Sequence, residues 1–154
     1  MRALLLRLLW QAFGPVPAFI ASALVFGALH VANPGATPLA AATVVMAGLM
    51  FCALYALTGR LWVPIGLHLS WNFAQGYLFG ATVSGNDLGG SIAISSPSPG
   101  AATWLTGGTF GPEASLFALL LVSTITMAAL SLARRAGRFD IRSPLSGRSH
   151  PAPN

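Results

Sequence analysis

The stretch PLAAATVVMAGLMFCALYAL, residues 38–57, contains no charged side chain, opens on proline and is closed by Thr58-Gly59. A helix of ~20 apolar residues, rising ~1.5 Å each, crosses a hydrocarbon layer of ~30 Å. The stretch therefore reads as a membrane-spanning helix. Its neighbours repeat the pattern. A first span runs from about Pro15 to Ala32 and is closed by Asn33-Pro34-Gly35. A third runs from about Leu61 to Phe79, and a fourth from about Pro112 to Ala133. Arg2 to Phe13 reads as the end of a helix whose beginning is absent. The expected fold class is all-α: a polytopic integral membrane helical bundle of about four spans plus a partial N-terminal helix.

Composition agrees with that class. Hydrophobic residues make up 55% of the chain and charged ones 7%, the profile of a membrane protein rather than a soluble domain. A net charge of +5 could suit nucleic acid, but a nucleic-acid binder needs a basic face or stripe. Here the arginines gather at helix ends. Arg2 and Arg7 precede the first span, Arg60 lies between the second and third, and Arg134, Arg135 and Arg138 follow the fourth. Four crossings put all of these on one side, which the positive-inside rule makes cytoplasmic. The expectation is a multi-pass cell-membrane protein with both termini cytoplasmic, the lipid bilayer as partner and no nucleic acid. Trp10 and Trp62, beside arginines, read as interfacial anchors.

Two regions look irregular. The segment from Ala81 to Gly111 is rich in Gly, Ser and Pro and reads as a mobile loop. Residues 134–154 read as a basic, disordered cytoplasmic tail able to touch anionic lipid, leaving residues 1–133 as the membrane-embedded domain. Cys52, the single cysteine, cannot form an internal disulfide.

Chemistry is expected at two histidines inside apolar spans. Phe26 lies four residues before His30, and Asn72 four residues after His68. Residues four apart on a helix share a face. An imidazole is costly in hydrocarbon unless something satisfies it, so an intramembrane ionisable residue is a functional-site hypothesis by default. Imidazole can act as a base or metal ligand, and a neighbouring amide can fix its tautomer or stabilise an oxyanion. The bland alternative is that each histidine only bonds a neighbouring helix. Two histidines on separate spans, one with a nearby amide, tilt the balance toward a shared site. Glu113, after Pro112, is accounted for by a helix start and its dipole. Asp87 reads as a solvated turn residue. Trp71 reads as packing against lipid or a helix, and His150, in the tail, has no evident partner.

These motifs resemble those of the CPBP family of intramembrane proteases, which includes CAAX prenyl proteases and bacteriocin-processing (Abi) enzymes. That family is marked by Glu-Glu-x-x-x-Arg, then Phe-x-x-x-His, then His-x-x-x-Asn or Asp. Phe26 to His30 resembles the second motif and His68 to Asn72 the third. The run Thr106-Gly107-Gly108-Thr109-Phe110-Gly111-Pro112-Glu113 is similar to a segment preceding the last helix in many members. The likeness covers roughly Met1 to Ala133. Arg2 stands where the arginine of the first motif would fall, with Phe26 as a supporting residue of the second. No Glu-Glu pair occurs in the sequence. The pair would fall at the fifth and fourth positions before Arg2, so the resemblance implies a chain beginning inside the motif.

The resemblance implies an endopeptidase in which a glutamate and a histidine activate water against a peptide bond near the membrane. It implies His30, His68 and Asn72 as catalytic residues. Its substrates would be peptides or protein tails, prenylated ones among them. It also implies His30 and His68 as candidate ligands of a divalent metal such as zinc, with the upstream glutamate as third ligand. Without that glutamate, weak or no activity is expected of this chain alone. A non-catalytic pseudoenzyme, scaffold or immunity factor is one alternative, and a small proton-coupled transporter another. Helix arithmetic raises one difficulty. His30 lies ~22 Å beyond Pro15 but His68 only ~12 Å beyond Arg60, on the same side. For the two to meet, the first hairpin must tilt or protrude.

Overall fold

The structure, a computed structural model, describes residues 2–138, with side chains from Leu5 onward. It is all-helical; the described residues form no strand beyond an isolated bridge between Val83 and Asn86. The main helices are α1 (Arg2–Phe13), α2 (Pro15–Val31), α3 (Pro38–Thr58), α4 (Trp62–Asn72), a short α5 (Thr103–Thr106) and α6 (Leu116–Arg135). Residues 139–154, most of the expected tail and with it His150, lie outside the described residues, as does the side chain of Arg2.

Local chemistry sets the boundaries. Gly14, at φ 83°, breaks α1 from α2, and Pro15 begins α2, where no amide hydrogen is needed. Thr37 caps α3 by accepting a hydrogen bond from the Ala40 amide at 3.1 Å. Gly59 ends α3 in the left-handed conformation, at φ 66°. Ser115 caps α6 in the same way as Thr37 caps α3, accepting from Ala118 at 3.1 Å.

Helix α3 is the centre of the bundle. It packs against α2 on one side and α6 on the other, with α1 laid against α2. One core cluster joins Leu6, Ala18, Phe19, Cys52, Ala56 and Ala133. A second, at the opposite end of α3, joins Ala40, Val44, Phe110 and Ala114. Two helices, α3 and α6, are long and apolar enough to cross a membrane, with mean hydropathies of 2.1 and 2.2; α2 is shorter, at 17 residues. Large apolar side chains such as Leu29, Leu69 and Phe117 project outward from the bundle.

Three details differ from the sequence expectations. The third span is not one regular helix: after Asn72 the chain widens into a π-helix, Phe73–Leu78. That extra residue per turn buries Gln75, whose amide donates to the Thr82 carbonyl at 2.7 Å. The fourth helix starts at Leu116 rather than Pro112, because Pro112–Ala114 forms a 3₁₀ turn. Trp10, half-buried, also packs edge-on to Phe19 and Tyr55, with ring centroids 5.4 and 6.2 Å away. The start of the loop after Ala81 is built: Val83 is buried, Val83 and Asn86 exchange two backbone hydrogen bonds of 2.9 Å, and Gly85 donates to Phe110.

Candidate active site

His30 stands near the C-terminal end of α2, half-buried. Its Nδ1 lies 2.7 Å from the Phe26 carbonyl, one turn back. A carbonyl can only accept, so the bond assigns the proton to Nδ1 and leaves the Nε2 lone pair available in the neutral ring. The sequence supplies this arrangement by itself, since a side chain four residues on reaches the turn beneath it.

The ring of Phe26 fills the space between the two histidines. Its centroid is 4.5 Å from that of His30 and 5.7 Å from that of His68. Phe51, on α3, closes the group, with centroids 5.2 Å from His68 and 6.0 Å from Phe26. Both imidazoles line one cavity of about 90 Å³, bounded also by Phe26, Phe51, Trp71, Ser84 and Glu113. The remaining wall is almost wholly aliphatic. His68 borders a second cavity too, with Leu6, Tyr55 and Cys52, toward the end of the bundle that holds Arg7 and Arg138.

The vertical offset found by helix arithmetic is thus bridged rather than removed. The His68 ring touches both Phe51 and Phe26, and His30 sits one turn beyond Phe26 on α2. Phe26 spans the step. Asn72 is not brought to the same place. It is half-buried at the end of α4 and does not line the cavity, whereas its neighbour Trp71 does. Arg2 opens α1, and only its backbone is described.

Sequence reasoning passed over Glu113. It lies in the first turn of the Pro112–Ala114 segment, and its carboxylate also makes distant contacts. Oε1 accepts from the Trp71 indole at 3.1 Å, and Oε2 accepts from both the amide and the hydroxyl of Ser84, at 2.7 and 2.6 Å. The helix-start account of Glu113 and the packing account of Trp71 both leave this contact out. One signal pointed there: a lone acid within the Thr106–Glu113 run that resembled the family. Its partners are 42 and 29 residues away, beyond the reach of local pattern.

The metal expectation meets a limit. Among the described residues, no group of three His, Cys, Asp or Glu side chains converges. A catalytic zinc site takes three protein ligands and an open position. His30 and His68 would supply two, so the described residues do not by themselves fit a zinc site.

The class so defined is an all-helical bundle with two long apolar helices and a half-buried histidine pair facing one apolar cavity. Residues 1–74 match the family model described as type II CAAX prenyl endopeptidase Rce1-like, which is consistent with CPBP family membership. The matched stretch contains both histidine motifs and ends before Glu113. That family is membrane-embedded, and its name denotes proteases. No curated protein and no solved structure gives a match.

Proposed function

We propose that this protein is an intramembrane endopeptidase of CAAX type, cutting peptides or protein tails, prenylated ones among them, at or near the membrane. The observation that carries the reading is the meeting of the two motif histidines on Phe26 in one cavity. In this reading four spans cross the cell membrane, and the arginine-bearing ends face the cytoplasm. His30, with its Nε2 lone pair available, holds and accepts a proton from the attacking water. His68 faces the same space and stabilises the oxyanion, joined by the amide of Asn72, one turn on, when that side chain turns inward on peptide binding. The aliphatic walls exclude bulk water and strengthen both interactions. No step is routed through a metal, whose third ligand the described residues lack.

The test is cleavage of a prenylated peptide by the protein reconstituted in liposomes. Two forms are compared: the 154-residue chain, and the same chain extended by a helical turn carrying two glutamates. New peptide termini from either form, lost in both His30→Ala and His68→Ala, support the reading. Parent-rate cleavage in both single variants defeats it.

A second reading has its own support. Both oxygens of the one carboxylate lining the cavity already accept hydrogen bonds from the protein. A pseudoenzyme that binds a tail without cutting it fits that observation. It predicts retention of the prenylated peptide by both forms and no new termini.

A further inference from the structure

We infer that Glu113 is a positioning residue, holding the helix that carries His68 in register with the helix that carries His30 through Trp71 and Ser84. The functional half of its test rests on the protease reading above.

The starting point is how little else holds α4. None of its residues is fully buried, and Trp62 and Leu69 project outward at 80% and 69% exposure. A helix that buries so little gains little from the bundle. Directional contacts must set its place. His68 offers ring contacts to Phe26 and Phe51. Three residues on, and so on nearly the same face, Trp71 donates its indole N–H to Glu113.

The far side of the carboxylate is fixed independently. Ser84 gives Oε2 both its backbone and its hydroxyl hydrogen. Ser84 adopts φ 47°, alone among the described non-glycine residues in having positive φ. With Gly85 at φ 82° it forms the tip of a tight turn. A serine there is strained, and strain of this kind persists only where the surroundings impose it. The surroundings are in view. The Asn33 side chain donates to the Ser84 carbonyl at 2.8 Å, and Gly85 donates to the Phe110 carbonyl at 2.8 Å. Asn33 is three residues beyond His30. A continuous chain of hydrogen bonds therefore runs from the end of the His30 helix, through Ser84 and Glu113, to Trp71 on the His68 helix.

A carboxylate has about four lone-pair positions. Three are filled by protein donors, the pattern of an anchoring group. Removing it should loosen α4 and move His68, and a misplacement of ~1 Å can cost up to about 10²-fold in rate.

The experiment uses the reconstituted protein, in the form that cleaves, with Trp71→Phe, Glu113→Ala, Glu113→Gln and the double variant Trp71→Phe/Glu113→Ala. Trp71→Phe keeps the ring's bulk and removes only the donor, so it guards against a Glu113 variant that fails to fold. Trp71→Phe and Glu113→Ala should each lower kcat about tenfold or more, with the pH profile of kcat/KM in place and the double variant little worse than either. In parallel, Trp71 emission is read in a protein with Trp10, Trp62 and Trp104 changed to Phe. Glu113→Ala should shift that emission and raise its quenching by acrylamide. Two results overturn the inference: Trp71 emission unmoved by Glu113→Ala, or Glu113→Gln abolishing cleavage while Trp71→Phe retains it. If neither histidine variant alters cleavage, the protease reading fails, and the emission of Trp71 still decides whether the latch exists.

Discussion

Phe26 meets His68 edge to face, with ring centroids 5.7 Å apart and an interplanar angle of 84°. The same phenylalanine gives His30 its hydrogen-bond acceptor through the backbone. One residue thus orients the first imidazole with its carbonyl and seats the second with its ring. An aromatic edge against an aromatic face is a favoured geometry, worth about 0.5–1.5 kcal/mol beyond area burial.

Phe26→Leu separates those two duties. The carbonyl stays, and so does the Nδ1 bond of His30. The ring contact with His68 goes. The expected outcome is a fold retained at a cost of about 1 kcal/mol and a fall in peptide cleavage. Phe26→Ala also opens a cavity and should cost about 3 kcal/mol. Denaturant unfolding in detergent and the cleavage rate together check both. An unchanged rate in Phe26→Leu would show that His68 does not depend on that ring.

The bundle was legible where local chemistry decides. Pro38, Thr37 and Gly59 announce the limits of α3, and Asn33-Pro34-Gly35 the end of α2. The histidine pair was legible too, because an ionisable group in an apolar run must be satisfied. Other features were hidden for a common reason: their partners are distant in sequence. Nothing near Trp71 reveals that its N–H meets Glu113. Gln75, buried in the π-helix Phe73–Leu78, meets Thr82 only across the chain reversal.

Close helix approach rests on small residues. A Cβ added to Gly48 would stand 3.0 Å from the Ala23 Cα, a backbone atom that cannot yield cheaply. Small residues let membrane helices approach closely. Gly48→Leu should push α2 from α3, cost about 1–3 kcal/mol and reduce activity by parting Phe26 from Phe51. Gly66, on α4, has no atom within 4 Å of such a Cβ. Gly66→Ala should therefore gain about 0.5–1 kcal/mol from helix entropy. Paired melting curves check the contrast; equal shifts of one sign would refute it.

Arg138 follows α6, where the sequence suggests only the start of a basic tail. Its guanidinium donates to the Leu57 carbonyl at 2.6 Å, one of the last carbonyls of α3, which has no partner within the helix. Arg138→Ala should lower Tm by a small margin, because the contact is exposed, and Arg138→Lys should restore part of it. No change in either would leave the arginine a topological signal alone.

Asn72 separates the family reading from the geometry. The family motif pairs it with His68, yet it ends α4 outside the lining of the histidine cavity. If its amide turns to the oxyanion when a peptide is bound, the donor acts in the transition state and little in the ground state. Asn72→Ala would then lower kcat by roughly 10²-fold with KM nearly constant, the size of a lost oxyanion donor. Asn72→Asp keeps the volume, removes the donor and should do as badly. A loss below about threefold in both would take Asn72 out of the site. Trp71 would then be the residue through which that turn of α4 serves His68.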